Sequence, residues 1–327
     1  MLKVINALLA IVGGVLGSLL LFYVMNKVVE RLPRKWEERI KPYVFFGPAV
    51  LLIGFFLIYP AIRTIVFSFA NSDSTSFIGL TNYTDLLGSG DFVSGALLNT
   101  LLWMIVVPAL TVIFGLAVAV LADRLRPRAE KFTKSLIFLP MAISLVGAST
   151  IWKYVYESRP EGTPQVGLLN AILDKFGIAP VAWLQLSQAH ANSLLLMVIL
   201  IWAQVGFSMV LLSAAVKGVP EDTIEAGRID GASEKRIFFS IVVPQIWATV
   251  ITVFITVLII VMKIFDIIYV MTGGNFNTDV IGMRFFTELF TNGNNGYAAA
   301  IVVMLMIAIV PVMLYQVRNF RRQEAQR

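Results

Sequence analysis

Leu98–Ala122 reads LNTLLWMIVVPALTVIFGLAVAVLA, twenty-five residues without one charged side chain. A helix needs about 20 predominantly apolar residues to cross the hydrocarbon core of a bilayer. In lipid the backbone has no water to bond, so such a run closes its hydrogen bonds internally as a helix. Carried outward in both directions, the same criterion picks out about seven such stretches. They run near Val4–Met25, Tyr43–Phe69, Leu98–Ala122, Ser135–Tyr156, Ser193–Val216, Gln245–Val270 and Tyr297–Val317. The expected fold is all-α: a polytopic membrane protein.

Composition agrees. Hydrophobic residues make up 58% of the 327 and charged residues 14%, with mean hydropathy +0.81. So few charges would not cover the surface of a soluble domain. No cysteine is present, which removes disulfides, thiolate metal sites and cysteine nucleophiles. His190 is the one histidine and is expected to be a solvated loop residue, so a histidine-built metal site is excluded. An intramembrane enzyme needs convergent acid, base, nucleophile or metal residues, and few in-span carboxylates are available. The net charge of +6 sits in short loops between apolar runs, which points away from nucleic acid.

Lys and Arg in short loops set orientation. Lys27, Arg31, Arg34, Lys35, Arg39 and Lys41 follow the first span, and Arg124, Arg126, Arg128, Lys131 and Lys134 follow the third. Lys217, Arg228, Lys235 and Arg236 follow the fifth, and Arg318, Arg321, Arg322 and Arg327 close the chain. The alternate loops are nearly bare, and Asn71–Leu97 holds neither Lys nor Arg. This alternation places the N-terminus outside and the C-terminus in the cytoplasm. The first run has no small-residue cleavage site and is expected to be a retained anchor. Residues 1–42 then form an anchor with its basic connector, and residues 43–327 a core of six spans.

The loop of about 219–244 differs from the other basic connectors because it reads as structured. Pro220, Glu221 and Asp222 suit the first turn of a helix through Asp230. Gly231 suits a left-handed stop. Ser233 can cap a second helix, Glu234–Ile241, with Pro244 breaking it just before the sixth span. A plain interfacial helix is the alternative.

Glu225-Ala226-Gly227, three residues, Gly231, nine residues, Ile241, one residue, Val243-Pro244 resembles the EAA loop of binding-protein-dependent ABC importer permeases. Gly227 stands for the motif's second alanine and Val243 for its leucine. Phe77–Tyr83, Asn99-Thr100, Leu139-Pro140, Trp152, Phe265–Tyr269 and Thr272-Gly273-Gly274 resemble the carbohydrate-uptake permeases, of the maltose-permease F-like type. Arg159–Pro164 and Lys263–Asp266 resemble α-glucoside permeases within it.

The resemblance implies the type I ABC importer permease fold in a bacterial inner membrane. It also implies a second permease subunit, two ATPase subunits and an extracytoplasmic sugar-binding protein. ATP and Mg belong to the ATPase, since no G-x-x-x-x-G-K-[ST] phosphate loop occurs here, and no cofactor is expected on this chain. Glu225, Ala226, Gly227, Asp230 and Gly231 are the expected ATPase-coupling residues. Glu225 and Asp230 would pair with basic groups, while Ala226 and Gly227 would allow close backbone approach.

Charges inside spans are costly and usually functional. Lys263 and Asp266, three apart in the sixth span, would be helical neighbours. They form either an internal ion pair or part of a sugar path. Ser144, Ser149, Gln204 and Ser208 are the remaining path candidates, with Trp152 an aromatic near them. Tyr154 and Tyr156 are expected in an interfacial aromatic belt. The alternative cargo is a non-sugar solute.

Overall fold

The computed structural model describes residues 2–324, and among them no β-strand forms. Of the basic tail, Arg327 and the side chains of Arg321 and Arg322 lie outside the described residues.

Contacts divide the chain into two units, meeting in sequence between Val66 and Phe67. The first holds α1 (Leu2–Val29) and α2 (Arg34–Ile53), then a π-helical stretch, Gly54–Ile58, leading into α3 (Tyr59–Phe67). Pro33 precedes α2 with φ −53° and ψ 140°, extended backbone that ends one helix and opens the next. Phe22 and Phe45 stack at 6.3 Å between α1 and α2. Most apolar side chains here are exposed, Leu16, Leu19, Leu51 and Phe55 among them. Apolar surface of that extent is stable in lipid and unstable in water.

The second unit opens with a loop and α4 (Thr81–Gly88). The π-helical Asp91–Leu97 leads into α5 (Leu98–Ala122). Then come α6 (Pro127–Phe138), α7 (Leu145–Tyr156), α8 (Leu168–Lys175) and α9 (Ala191–Lys217). The structured loop holds α10 (Glu221–Ile229), α11 (Glu234–Ile237) and α12 (Val243–Gln245). After it follow α13 (Trp247–Met262), α14 (Asp266–Met271), α15 (Ile281–Phe286) and α16 (Asn295–Glu324).

The core lies where α5 packs along α9 with α13 against them. Trp103, Val107, Leu196, Met197, Leu200, Met209, Val253 and Val257 meet there, nearly all fully buried. At Gly115 the two helices close so far that a Cβ would overlap the Ser208 side chain.

Among the described residues, five helical runs are long and apolar enough to span alone, and two bent pairs, each taken as one span, bring the total to seven. The fourth expected span is therefore not one rod. The two helices that carry it, Pro127–Ala142 and Leu145–Tyr156, meet at 103°. Pro140 sits in a 3-10 turn, and Ser144 restarts the helix by accepting the Gly147 N–H at 3.1 Å. The sixth is also interrupted. Lys263 to Phe265 leave helical geometry, Phe265 with φ −146° and ψ −51°, and α14 starts at Asp266.

On one side of the bundle, the loop Thr272–Val280 is clasped from two helices. Asn99 Nδ2 donates to the carbonyls of Asn277 at 2.5 Å and Asp279 at 3.0 Å. Asn192 Nδ2 donates to the Phe276 carbonyl at 2.7 Å. Thr100 Oγ1 accepts the Ile281 N–H at 3.0 Å. Gly273, Gly274, Phe276 and Asn277 all have positive φ. The Asn99-Thr100 signature thus fastens the far end of the loop that Thr272-Gly273-Gly274 opens.

Candidate functional site

The loop between α9 and α13 folds as a helix, a tight turn and a second helix. Pro220 enters with φ −57°, and Glu221 and Asp222 occupy the first turn of α10, where carboxylates complement exposed N–H groups. At its far end Gly231 has φ +77°. The Gly231 N–H donates to the Arg228 carbonyl and the Ala232 N–H to the Gly227 carbonyl, both at 3.0 Å. That is the Schellman closure, which requires the left-handed residue glycine supplies without strain. Ser233 then caps α11 by accepting the Arg236 N–H at 3.4 Å. Arg228 Nε donates to Glu234 Oε1 at 2.9 Å across the turn and holds the Glu234 carboxyl below its ordinary range.

Two expectations for this loop are corrected. The second helix does not stop at Pro244. It continues through a π-helical stretch, Phe238–Val242, into α12, and the 70° bend to α13 falls at Ile246. Pro244 has no N–H to donate, and the π-helical register directly before it accommodates that loss inside the helix. Gly227 faces inward, buried. A Cβ there would stand 2.8 Å from Ile241 Cδ1 and 3.4 Å from Ile237 Cγ1. Its small size seats α10 on its own following helix, so it leaves no gap for another backbone.

The outer face of α10 carries Glu225, Ala226, Ile229 and, at the turn, Asp230, all exposed. Ile229 is 86% exposed. It lies one turn beyond Glu225 and on the same face. Sequence reasoning missed it, because its reading of this helix concerned charge and small size. The signal was there: an isoleucine four residues after the motif's Glu.

A charge cluster, also missed, ties the neighbouring connector to α9. Lys134 Nζ lies 2.5 Å from Asp123 Oδ1, 2.7 Å from Glu130 Oε1 and 2.5 Å from Ser213 Oγ. Lys217 Nζ reaches Glu130 at 2.5 Å and Asp123 at 3.6 Å. The hydrogen bonds from Lys134 and Lys217 pull the Glu130 carboxyl down to about 2. Lys134 and Lys217 are eighty-three residues apart, and no local pattern links them.

The in-span candidates do not converge. No ion pair joins Lys263 to Asp266 among the described residues, because the helix breaks between them. Lys263 is exposed and Asp266 half-buried at the start of α14, which packs on α7. Ser144 is spent as a helix cap. Ser149, fully buried, donates to the Leu145 carbonyl at 2.8 Å. Ser208 is buried against Gly115, its Oγ without a partner among the described residues. Gln204 is half-buried on α9.

Trp152 meets Trp202 edge to face at 5.9 Å and lines an apolar cavity of about 690 Å³ with Leu110, Phe114 and Val198. None of the six polar candidates lines it. Tyr154 is exposed, as a belt residue would be. Tyr156 is not: it is buried, and its hydroxyl donates to the Leu195 carbonyl at 3.0 Å. His190 is half-buried with left-handed backbone, φ 55°, so it is not the freely solvated side chain expected.

A bundle of apolar helices that bears one capped helix pair outside its spans is the architecture of a membrane-embedded transport subunit. The chain belongs to the family of inner membrane components of binding-protein-dependent transport systems, whose model matches residues 112–324. It is 42% identical over 98% of both chains to the alpha-glucoside transport system permease protein AglF of Rhizobium meliloti. It is 46% identical to the osmoprotective compounds uptake permease protein GgtC of Synechocystis, over 86% of this chain and 99% of the relative. A chain of a bacterial ABC transporter that imports the acidic polysaccharide alginate superposes with TM-score 0.75 at 19% identity, covering 89% of this chain and 99% of that one. The fold is that of an ABC importer permease.

Proposed function

We propose that this chain is the permease subunit of an ATP-driven sugar importer and that its cargo is an α-glucoside or related oligosaccharide. The observation that carries the reading is α10: a short helix with a fixed stop, seated on its own loop through Gly227. It presents Glu225, Ala226, Ile229 and Asp230 outward. An apolar side chain flanked by carboxylates suits a cleft in a separate ATPase subunit, with Ile229 in a pocket and Glu225 and Asp230 on basic groups. Closure of two such ATPases, each holding ATP and Mg, then rocks the spans of this chain and a second permease between two access states. This chain binds no nucleotide and catalyses no reaction. Its N-terminus lies outside and its C-terminus in the cytoplasm, as the loop charges direct.

An extracytoplasmic binding protein delivers the solute. Residues 1–42 act as an accessory anchor on a six-span core of residues 43–327. The alpha-glucoside relative supports the cargo. The osmoprotectant relative makes osmoprotective solutes the second reading.

The test is a reconstituted importer given labelled maltose, sucrose, trehalose and glycine betaine. Uptake of at least one of the three sugars is expected, with Ile229→Asp and Glu225→Lys abolishing stimulated ATP hydrolysis while leaving membrane abundance near normal. Uptake of glycine betaine alone would establish the second reading. Normal stimulation in both variants would reduce the loop to an interfacial helix.

A further inference from the structure

The end of α7 and the chain that follows it enclose a cavity that no in-span candidate uses. Asn170 fixes its wall. Fully buried, its Nδ2 donates to the carbonyls of Glu157 and Val181, both at 3.0 Å. Its Oδ1 accepts the Val181 N–H at 2.9 Å and the Trp183 Nε1–H at 3.2 Å. Two donations and two acceptances exhaust a carboxamide. The returning strand of chain and the plane of the Trp183 ring are therefore set before any ligand arrives. Gly167 passes the Glu157 carbonyl so closely that a Cβ would overlap it, which closes the same wall from beneath.

The cavity measures about 440 Å³, within the roughly 300–1,000 Å³ of small-ligand sites. Tyr154 and Trp183 supply aromatic surface, and Tyr154 is 64% exposed. Thr150, Lys153, Glu157 and Gln185 add a hydroxyl, an ammonium, a carboxylate and an amide. Arg159 Nε approaches Glu157 Oε1 at 3.4 Å, which leaves the second oxygen to accept.

A pyranose ring offers apolar C–H faces and hydroxyls that both donate and accept. Aromatic surface takes the former, and a mixed donor and acceptor set takes the latter. One cation and one anion among the lining groups balance, which favours a neutral ligand over a charged one. We propose that this cavity is an outer receiving subsite for one or two rings of a neutral saccharide, occupied before the solute enters the span-lined path. The proposal rests on the sugar-importer reading and on the outward placement of the α7 end.

The test uses the assembled importer in lipid nanodiscs, without binding protein, probed with maltose by saturation-transfer NMR. Saturation is expected to reach the sugar C–H protons. Tyr154→Ala and Trp183→Ala should weaken maltose binding roughly tenfold, whereas Trp183→Phe, which keeps an aromatic face, should retain most of it. In proteoliposomes with binding protein, the same alanine variants should raise the KM for maltose uptake. If Trp183→Ala fails to reach the membrane because Asn170 loses a partner, Tyr154→Ala decides alone. Wild-type maltose binding and uptake in Tyr154→Ala would overturn the proposal, as would absence of saturation transfer from the wild-type complex to maltose. Saturation transfer without uptake of any sugar would keep the subsite and defeat the importer reading.

Discussion

Gly231 shows how a single backbone angle can carry mechanism. Nothing lies within 4 Å of a Cβ built there, so space is not the constraint; φ +77° is. A valine at that angle is strained by about 1–2 kcal/mol, while asparagine enters the left-handed region more readily. Gly231→Val should therefore lose stimulated ATP hydrolysis in the reconstituted complex, and Gly231→Asn should keep most of it. Equal loss in both would mean that the side chain, not the turn, disturbs docking. Lys263 and Asp266 make the opposite case, where a spacing implied a contact that the backbone prevents. Uncoupled residues have additive effects. In a double-mutant cycle on membrane abundance, Lys263→Ala and Asp266→Ala should show an interaction energy near zero, and a sizeable one would restore the ion pair. We expect Asp266→Ala, and not Lys263→Ala, to change the KM or selectivity of sugar uptake.

At the scale of elements, Glu130 links α6 to the end of α9 through Lys217, while Lys134 pairs with it from within α6. Its carboxyl is lowered from 4.5 to about 2 by those two ammonium groups. The contribution of a group depressed in the folded state is present above the unfolded value and is lost as pH falls through the folded one. The difference in melting temperature between wild type and Glu130→Gln should thus stay constant from pH 8 to about 5 and shrink below about 4.5. A gap that instead closes above pH 6 would exclude this carboxylate as the cause. The helices themselves were legible in the sequence because a span must be apolar for about 20 residues. Their interruptions were only half legible. Pro140 marks the first, but the 103° bend also needs Ser144 to cap α7. Nothing in Lys263-Ile264-Phe265 signals a break, and the residue that packs on the Ile264 carbonyl, Gly282, is remote in sequence. The loop of about 219–244 was legible in its caps, which are local, and less so at Gly227, whose neighbours Ile237 and Ile241 come from the next helix.

Across the whole molecule, alternating loop charge gives an orientation that reporters check directly. A reporter active only in the cytoplasm should be active when fused after Arg327 or within Glu221–Arg236, and silent within Asn71–Leu97. Activity from the last fusion would reverse the assignment and, with it, the side on which the α7 cavity opens. Purified alone, the chain should show no ATP hydrolysis, and measurable turnover would remove the need for a separate motor. The sites for solute were the least legible of all. Ser144 caps a helix and Ser149 bonds within its own helix, uses that a linear pattern does not separate from binding.

The fastening of Thr272–Val280 bears on how the protein is made. Asn99 and Asn192 reach the translocon long before the carbonyls of Phe276, Asn277 and Asp279 are synthesised. Until then the Asn99 carboxamide lacks both of its carbonyl partners and Asn192 Nδ2 has only the Leu184 carbonyl, at 3.4 Å, and an unpaired buried amide costs about 1–3 kcal/mol. The early helices therefore complete their polar bonding only when residues 276–279 arrive. The last third of the chain, by delivering its carbonyls, marks the nascent bundle as complete.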